Sequence, residues 1–239
     1  MNTLLVTGAS SDVGIKLIDY MVQRYDFVWA HYHQMNDKLM EIHHSFPEKI
    51  RFVQADFFKR DDTKKMIEEI AHAHLIPNHI VHLPAEKYML SNFHNTEWEV
   101  YERNTFISIR SIIMILQRFI PEVIKRASEG RIVFMLSECT CNLPPAYTAH
   151  YTMTKYALLG LMKALAAEYE KKGIMVNGIS PGMMETKFLD QIPRLVIEKS
   201  ARENSSGKNI EVKELMDVFE LLLFGNCMIS GQNIAIKSL

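Results

Sequence analysis

TLLVTGASSDVG, residues 3–14, is the stretch on which the fold turns. Thr3 to Thr7 is an apolar run of strand length. Gly8 then opens a turn of small residues, and an amphipathic stretch of helix length follows to about Arg24. Strand, glycine turn and helix in that order make the first half of a βαβ unit. In such a turn a glycine lets the chain reverse tightly, and the free N–H groups at the head of the helix face an anion such as a dinucleotide's pyrophosphate. The spacing is Gly8, Asp12, Gly14. A glycine is expected at position 12, where backbone approaches ligand. Asp12 stands there instead, a residue favoured as a helix N-cap and tolerant of unusual backbone angles.

Working outward, strand-length apolar runs keep alternating with amphipathic stretches. Asp26–Tyr32, Ile50–Ala55, His79–Leu83, Arg131–Leu136, Ile174–Ile179 and a short Asn233–Ile236 read as further strands. Helices are expected to about Phe46, over about Asp61–His74, Trp98–Arg126, Tyr151–Lys172, Lys187–Ala201 and Val212–Phe224. Pro121 must end or kink the long one. This alternation predicts an α/β fold: a single-domain, Rossmann-like, doubly wound parallel sheet with helices on both faces. No stretch reads as a linker, so residues 1–239 are taken as one domain. The polar run Arg202–Asn209 is a loop.

Nearly half of the 239 residues are apolar and the net charge is −1. That balance offers no field for nucleic acid or for a membrane surface. No run reaches transmembrane length and no signal peptide is expected. Cys139, Cys141 and Cys227 form no framework spacing, which suits a reducing, cytoplasmic setting. The ten histidines, among them the pairs His31/His33, His43/His44 and His72/His74, do not combine with carboxylates or thiols at ligand spacing, so no metal site is expected.

YTMTK, residues 151–155, is the second informative stretch. On a helix, Tyr151 and Lys155 leave one face a turn apart. A free phenol titrates near pH 10, too high for acid–base work near neutrality. A neighbouring cation lowers that value and lets the phenol exchange a proton with an alcohol or carbonyl.

Taken together, Gly8–Gly14, Asn104, Ser137, Tyr151 with Lys155, and NGISPGMMET (Asn177–Thr186) follow the order and spacing of the short-chain dehydrogenase/reductases. The resemblance runs over essentially the whole chain. It is to the classical group that includes the 3-oxoacyl-[acyl-carrier-protein] reductases. It implies that Tyr151 is the proton donor or acceptor, that Lys155 lowers its pKa and holds the nicotinamide ribose, and that Ser137 bonds the substrate oxygen. Ser137 is preferred to Glu138 because GRIVFMLS matches the family strand without a gap. Asn104 would anchor a water that extends the relay through Lys155. The cofactor would lie along Gly8, Ser10, Ser11, Asp12, Val13 and Gly14, with Pro181, Gly182, Met184 and Thr186 at its nicotinamide end. Asp56 and Phe57, with Leu83 and Pro84, would border the adenosine.

Two places depart from the family. Asp12 replaces the middle glycine, and His82-Leu83-Pro84-Ala85 stands where Asn-Asn-Ala-Gly is usual, Pro84 lacking a backbone donor. At the end of the second strand, Ala30–Gln34 carries no carboxylate for a ribose hydroxyl. Tyr32 or His33 could instead face a phosphate, which favours NADP over NAD.

The expected activity is NADP-dependent reduction of a ketone, foremost a 3-oxoacyl thioester on acyl carrier protein or coenzyme A. One alternative substrate is a free sugar or keto acid derivative. A different alternative is a catalytically weak, nucleotide-binding regulatory protein. Lys172 matches a place where such reductases dock an acidic carrier, or is a solvated helix end. His150 either lines the substrate pocket or points away from it. Residues 186–208 would form a lid. Relatives' assemblies imply a homo-oligomer, dimer or tetramer, built on the long helix and the Tyr151 helix. Ile112, Ile113, Ile115, Leu116 and Leu158–Leu165 there are interface or core.

Overall fold

Leu4, Leu5 and Val6 of the first strand, β1 (Thr3–Thr7), bury on alternate faces of a sheet: Leu4 and Val6 in one core cluster, Leu5 in the other. That two-residue alternation with both sides apolar is what a central parallel strand requires. In the computed structural model, which describes residues 1–226 and 228–237, β1 lies between β2 (Phe27–Tyr32) and β4 (His79–His82). Beyond them lie β3 (Ile50–Gln54) on one side, and β5 (Gly130–Met135), β6 (Ile174–Pro181) and β7 (Asn233–Ile236) on the other. The seven-stranded order is β3-β2-β1-β4-β5-β6-β7, every pair parallel.

Helices α1 (Asp12–Met21), α2 (Asp37–Ser45) and α8 (Met216–Phe224) cover one face through Leu17, Ile18, Leu39 and Phe219. On the other face lie α3 (Arg60–His72), α5 (Ser111–Lys125) and α6 (Ala149–Tyr169), through Met66, Ile112, Phe119 and Leu158. This is the predicted single-domain, doubly wound architecture. Ile112, Ile115, Leu116 and Leu158 are buried, so the core alternative holds for them. Cys227 lies outside the described residues. No helix of the described residues is long and apolar enough to cross a membrane.

Strand order reverses between β1 and β4. Connections leave the two strands in opposite directions there and open a crevice at their carboxyl ends, the usual ligand site of such sheets. The row across the sheet at that level reads His31, Thr7, His82, Phe134 in register.

The long helix differs from the expectation. α4 (Trp98–Thr105) runs into a π-helical turn, Phe106–Arg110, before α5 begins. A π-turn inserts a residue and frees a carbonyl. Here Ser108 O is bonded by His82 Nε2 at 2.9 Å, and Ser108 Oγ donates to Pro84 O at 3.1 Å. Neither partner is a neighbour in sequence, which is why the long-helix pattern does not announce the turn. Pro121 neither ends nor breaks α5. Gln117, whose carbonyl loses the N–H of residue 121, lies on the solvent-exposed side of the helix. The expected helix over Lys187–Ala201 is split into a 3₁₀ turn, Lys187–Leu189, and α7 (Arg194–Glu203). Pro193 disfavours helical backbone in the residue before it, so α7 starts after it.

Candidate active site

Tyr151 and Lys155 stand on the first two turns of α6, facing the crevice beside the end of β5. Tyr151 Oη is hydrogen-bonded to Ser137, and the Lys155 ammonium lies 5.5 Å from the Tyr151 ring centroid. Lys155 is buried, and its Nζ donates to Met135 O, the last residue of β5, at 2.7 Å. Ser137 follows β5 by two residues, and its Oγ accepts from Cys139 N at 3.4 Å. Glu138 turns elsewhere: its Oε1 accepts from Asn142 and lies 3.7 Å from Lys237, and its Oε2 packs on Gly182. Ser137, not Glu138, meets the phenol.

The electrostatics reverse one expectation. Burial pushes the Tyr151 phenol well above its ordinary range, and the Ser137 bond offsets only part of this. Burial likewise pulls Lys155 down to about 8, against a smaller opposite effect from Cys139. The ammonium is directed at a carbonyl rather than at the phenol oxygen, so desolvation outweighs it. Tyr151 in this state holds its proton firmly.

Asn104 is buried in the last turn of α4, its Nδ2 donating to Val100 O at 2.8 Å, immediately before the π-turn and on the helix that packs against α6. His150 turns away from the crevice, with its ring 6.3 Å from Tyr101 of α4.

At the cofactor end, Gly8 has φ +75°, a left-handed backbone that favours glycine, and its N–H donates to His31 Nδ1 at 3.1 Å. His31 Nε2 reaches Ala55 O at 3.1 Å, so the proton sits on Nε2, because a carbonyl only accepts. His82 repeats the device: Nε2–H donates to Ser108 O, and Nδ1 accepts from Thr7 Oγ1 at 2.8 Å. His31 is therefore a buried brace under the turn. His82 carries the structural load at the altered His82–Ala85 stretch. Ser11, not Asp12, caps α1: its Oγ accepts from Gly14 N at 3.1 Å. Asp12 Oδ2 instead accepts from Lys187 N at 2.9 Å, across the crevice.

The remaining predicted residues spread around this turn. Ser10 O accepts from Asn36 at 2.6 Å, and Val13 is buried. Asp56 Oδ1 accepts from Phe58 N at 2.9 Å, while Oδ2 lies 4.0 Å from His33 Nε2 and 3.8 Å from Lys59 Nζ. Phe57 stacks on His31 at 4.0 Å. Tyr32 leans on Phe52, so of the two strand-end candidates His33 is the exposed one. Leu83 and Pro84 sit over Gly8; Pro181 ends β6; Gly182 N donates to Ile236 O; Met184 bridges to Ile210; Thr186 precedes the 3₁₀ turn. A dinucleotide fits the frame: a glycine turn with left-handed backbone leads into the head of a capped ten-residue helix at the switch point. The carboxylate of Asp12 is the one feature there that opposes a pyrophosphate. Among the described residues, no group of three His, Cys, Asp or Glu side chains gathers as for a metal.

The turn is intolerant of a methyl group. A Cβ at Gly14 would fall 2.6 Å from Gly8 O and 2.7 Å from Ala9 Cα. Backbone atoms cannot swing aside as side chains do, so Gly14→Ala should cost about 2–3 kcal/mol and abolish dinucleotide binding. Thermal melting and a nucleotide titration check both.

The substrate side of the crevice is closed by residues that sequence reasoning did not single out. Tyr88, from the loop after β4, packs edge-on against Tyr151 at 4.8 Å, and Phe188 lies 6.0 Å from the Tyr151 ring. Tyr88 N donates to Phe188 O at 3.3 Å, and Leu189 and Ile192 complete the apolar cap. Irregular loops carry no periodicity, so nothing in EKYML marked Tyr88.

A family model described as enoyl-(acyl carrier protein) reductase matches residues 20–238. The oxidoreductase UcpA of Salmonella typhimurium is 38% identical over 107 residues, 44% of this chain and 40% of that protein. Dehydrogenase/reductase SDR family member 4 of Mus musculus is 28% identical over 157 residues, 66% of this chain and 54% of that protein. The matched stretches thus span about half or less of these relatives' lengths. Among solved structures, a 3-ketoacyl-(acyl-carrier-protein) reductase from Brucella melitensis complexed with NADH superposes with a TM-score of 0.88 at 20% identity, covering 99% of this chain and 96% of that one. A gluconate 5-dehydrogenase from Burkholderia cenocepacia in complex with NADP and tartrate gives 0.87 at 17% identity, covering 99% and 93%. These structures share the fold.

Proposed function

We propose, because the chain belongs to the short-chain dehydrogenase/reductase family, that it is an NADP-dependent oxidoreductase that reduces a ketone to a secondary alcohol. The observation that carries the reading is the Tyr151 phenol bonded to Ser137, one helical turn from the buried Lys155 and roofed by Tyr88 and Phe188. A bound nicotinamide supplies the hydride. The chain supplies the rest. Ser137 and Tyr151 bracket a carbonyl oxygen, and Tyr151 Oη gives it a proton. Burial keeps the phenol in its protonated form at neutral pH, which is the form this direction starts from. Lys155 restores the proton from behind, through the end of α4 near Asn104. The aromatic roof excludes water and favours an apolar substrate chain.

For the cofactor, the absence of a carboxylate at the end of β2 and the nitrogen donors beside Asp56, the His33 imidazole and the Lys59 ammonium, favour NADP over NAD. For the substrate, the apolar roof favours a 3-oxoacyl thioester over a sugar. Lys172, at the end of the Tyr151 helix with its Nζ 4.8 Å from the Tyr169 ring, is the docking cation for an acidic carrier. The exposed Trp98, Met153 and Tyr156 on α4 and α6 are read as the contact of a homo-oligomer, and the thiols Cys139 and Cys141, neither in a disulfide, suit a reducing, cytoplasmic setting.

The test is NADPH oxidation with a 3-oxobutanoyl thioester, on carrier protein and as the free analogue. Faster turnover of the carrier-bound form is expected, together with tighter binding of NADPH than of NADH. Equal rates would move the substrate to free small molecules. Failure of every ketone with NADPH binding retained would favour the regulatory reading.

A further inference from the structure

The head of α1 holds an arrangement that a dinucleotide-binding turn does not need. Ser11 already caps the helix, donating to Gly8 O at 2.7 Å and accepting from Gly14 N. The Asp12 carboxylate, in the first turn, is left free of its own helix. It reaches over the crevice to the first amide of the 3₁₀ turn Lys187–Leu189, 175 residues away in sequence. That amide is an orphan donor at the head of a turn, and a carboxylate is its strongest partner. The same turn is tied on the other side, Tyr88 N to Phe188 O, and its Phe188 covers Tyr151. The lid is thus tied down over the crevice by a latch at the head of α1, the place a pyrophosphate would take.

We propose that Asp12 is a latch that makes lid closure and dinucleotide binding competitors, so that this one residue sets the affinity for the dinucleotide. The proposal rests on the dinucleotide reading given above. A helix head that stabilises one anion does not hold a second beside it. Two unit charges about 5 Å apart near a surface repel by enough to change affinity roughly tenfold or more. An entering pyrophosphate must displace the carboxylate, and with it the hydrogen bond at Lys187. Binding then releases the lid from α1, leaves it held by Tyr88 and its apolar packing, and loosens the cover that Phe188 makes over Tyr151. Glycine, the residue expected at this position, would make no such link.

The experiment compares Asp12→Asn and Asp12→Gly with the parent chain, in buffer containing EDTA so that no divalent cation screens the carboxylate. NADPH affinity is read by fluorescence titration, and amide hydrogen exchange over residues 183–192 is read in the free protein. Asn keeps the side chain's size and an acceptor for Lys187 without the charge. Expected for Asp12→Asn is roughly tenfold tighter NADPH with lid protection largely kept. Expected for Asp12→Gly is a gain at least as large, with faster exchange at the lid. An Asp12→Gly variant that binds NADPH no better than the parent, or that keeps parental lid exchange, overturns the proposal. If only the variants bind NADPH, the competition is supported in its strongest form. If neither parent nor variants bind, the dinucleotide reading itself fails and the competition falls with it. Faster lid exchange in Asp12→Gly would then identify the failure as that of the reading rather than of the latch.

Discussion

Tyr151→Phe should bind NADPH as the parent chain does and turn ketone over about a thousandfold more slowly, in the middle of the range that a positioned acid–base group contributes. The substitution removes one oxygen. It leaves the ring that packs against Tyr88 and Phe188, so the aromatic roof and the fold are kept. It also leaves Lys155, whose ammonium is held by Met135 O and not by the phenol. What is lost is the proton delivered to the carbonyl oxygen and half of the bracket that aligns it. Ser137 remains, which is why the residual rate should exceed that of solution. The informative measurement is kcat under saturating substrate together with the NADPH dissociation constant. A variant with parental kcat would refute the acid role. A variant that loses NADPH affinity instead would mean that Tyr151 serves the cofactor.

The sheet, its parallel sense and the crevice at β1 and β4 were readable because each rests on local pattern: alternating apolar runs, helix-length amphipathic stretches, and a glycine turn in a fixed place. Tyr151 and Lys155 fall on one helix face by their spacing alone, whereas their roles and that of Ser137 follow only from the family resemblance. The parts that escaped reading depend on contacts between distant segments. Asp12 looks like a cap for its own helix until the fold brings Lys187 to it. Nothing local marks His31 as a brace; its two nitrogens join Gly8 to Ala55 only once β2 lies between β1 and β3. The π-turn after Asn104 exists because His82 and Pro84 take up its hydrogen-bonding groups, and no helical periodicity encodes that. The direction of the phenol's pKa shift was misjudged because spacing gives the cation's presence but not its aim, nor the depth of burial that outweighs it.

Acid should begin to erode stability above the carboxylate range, from about pH 6.5 downward. His31, His79 and His82 are all buried, and desolvation lowers their pKa values to about 4, about 3 and about 3. In the unfolded chain each titrates near 6.5. The unfolded state therefore binds more protons in the window between, and stability falls as pH falls through it. Above pH 6.5 all three contributions are fully present. Below it each histidine removes about 1.4 kcal/mol per pH unit until its folded form begins to protonate. Three together remove roughly 4 kcal/mol per unit, so by pH 4.5 the loss is comparable with the whole stability of a typical domain, about 5–15 kcal/mol. The hydrogen bonds reinforce the effect. His31 Nδ1 accepts from the Gly8 amide, and protonating that nitrogen sets one donor against another; at His82 the Thr7 hydroxyl must turn its proton away to Val81 O to accept instead. His79 Nδ1 meets the Tyr25 hydroxyl at 2.9 Å, and the like charge of Arg131 lowers its pKa further in the same direction as burial. Urea unfolding at pH 7, 6 and 5 should show a midpoint that drops steeply below pH 6.5, with about three protons taken up per molecule on unfolding near pH 5.5. A midpoint constant from pH 7 to pH 5 would show that these histidines are not held neutral. His82→Gln should flatten the slope by about a third while lowering stability at pH 7, because the amide cannot reach both Thr7 and Ser108 from one rigid ring position. Acid would act first at the site itself, since two of the three histidines flank Thr7 at the carboxyl end of β1, directly beneath the turn that receives the cofactor.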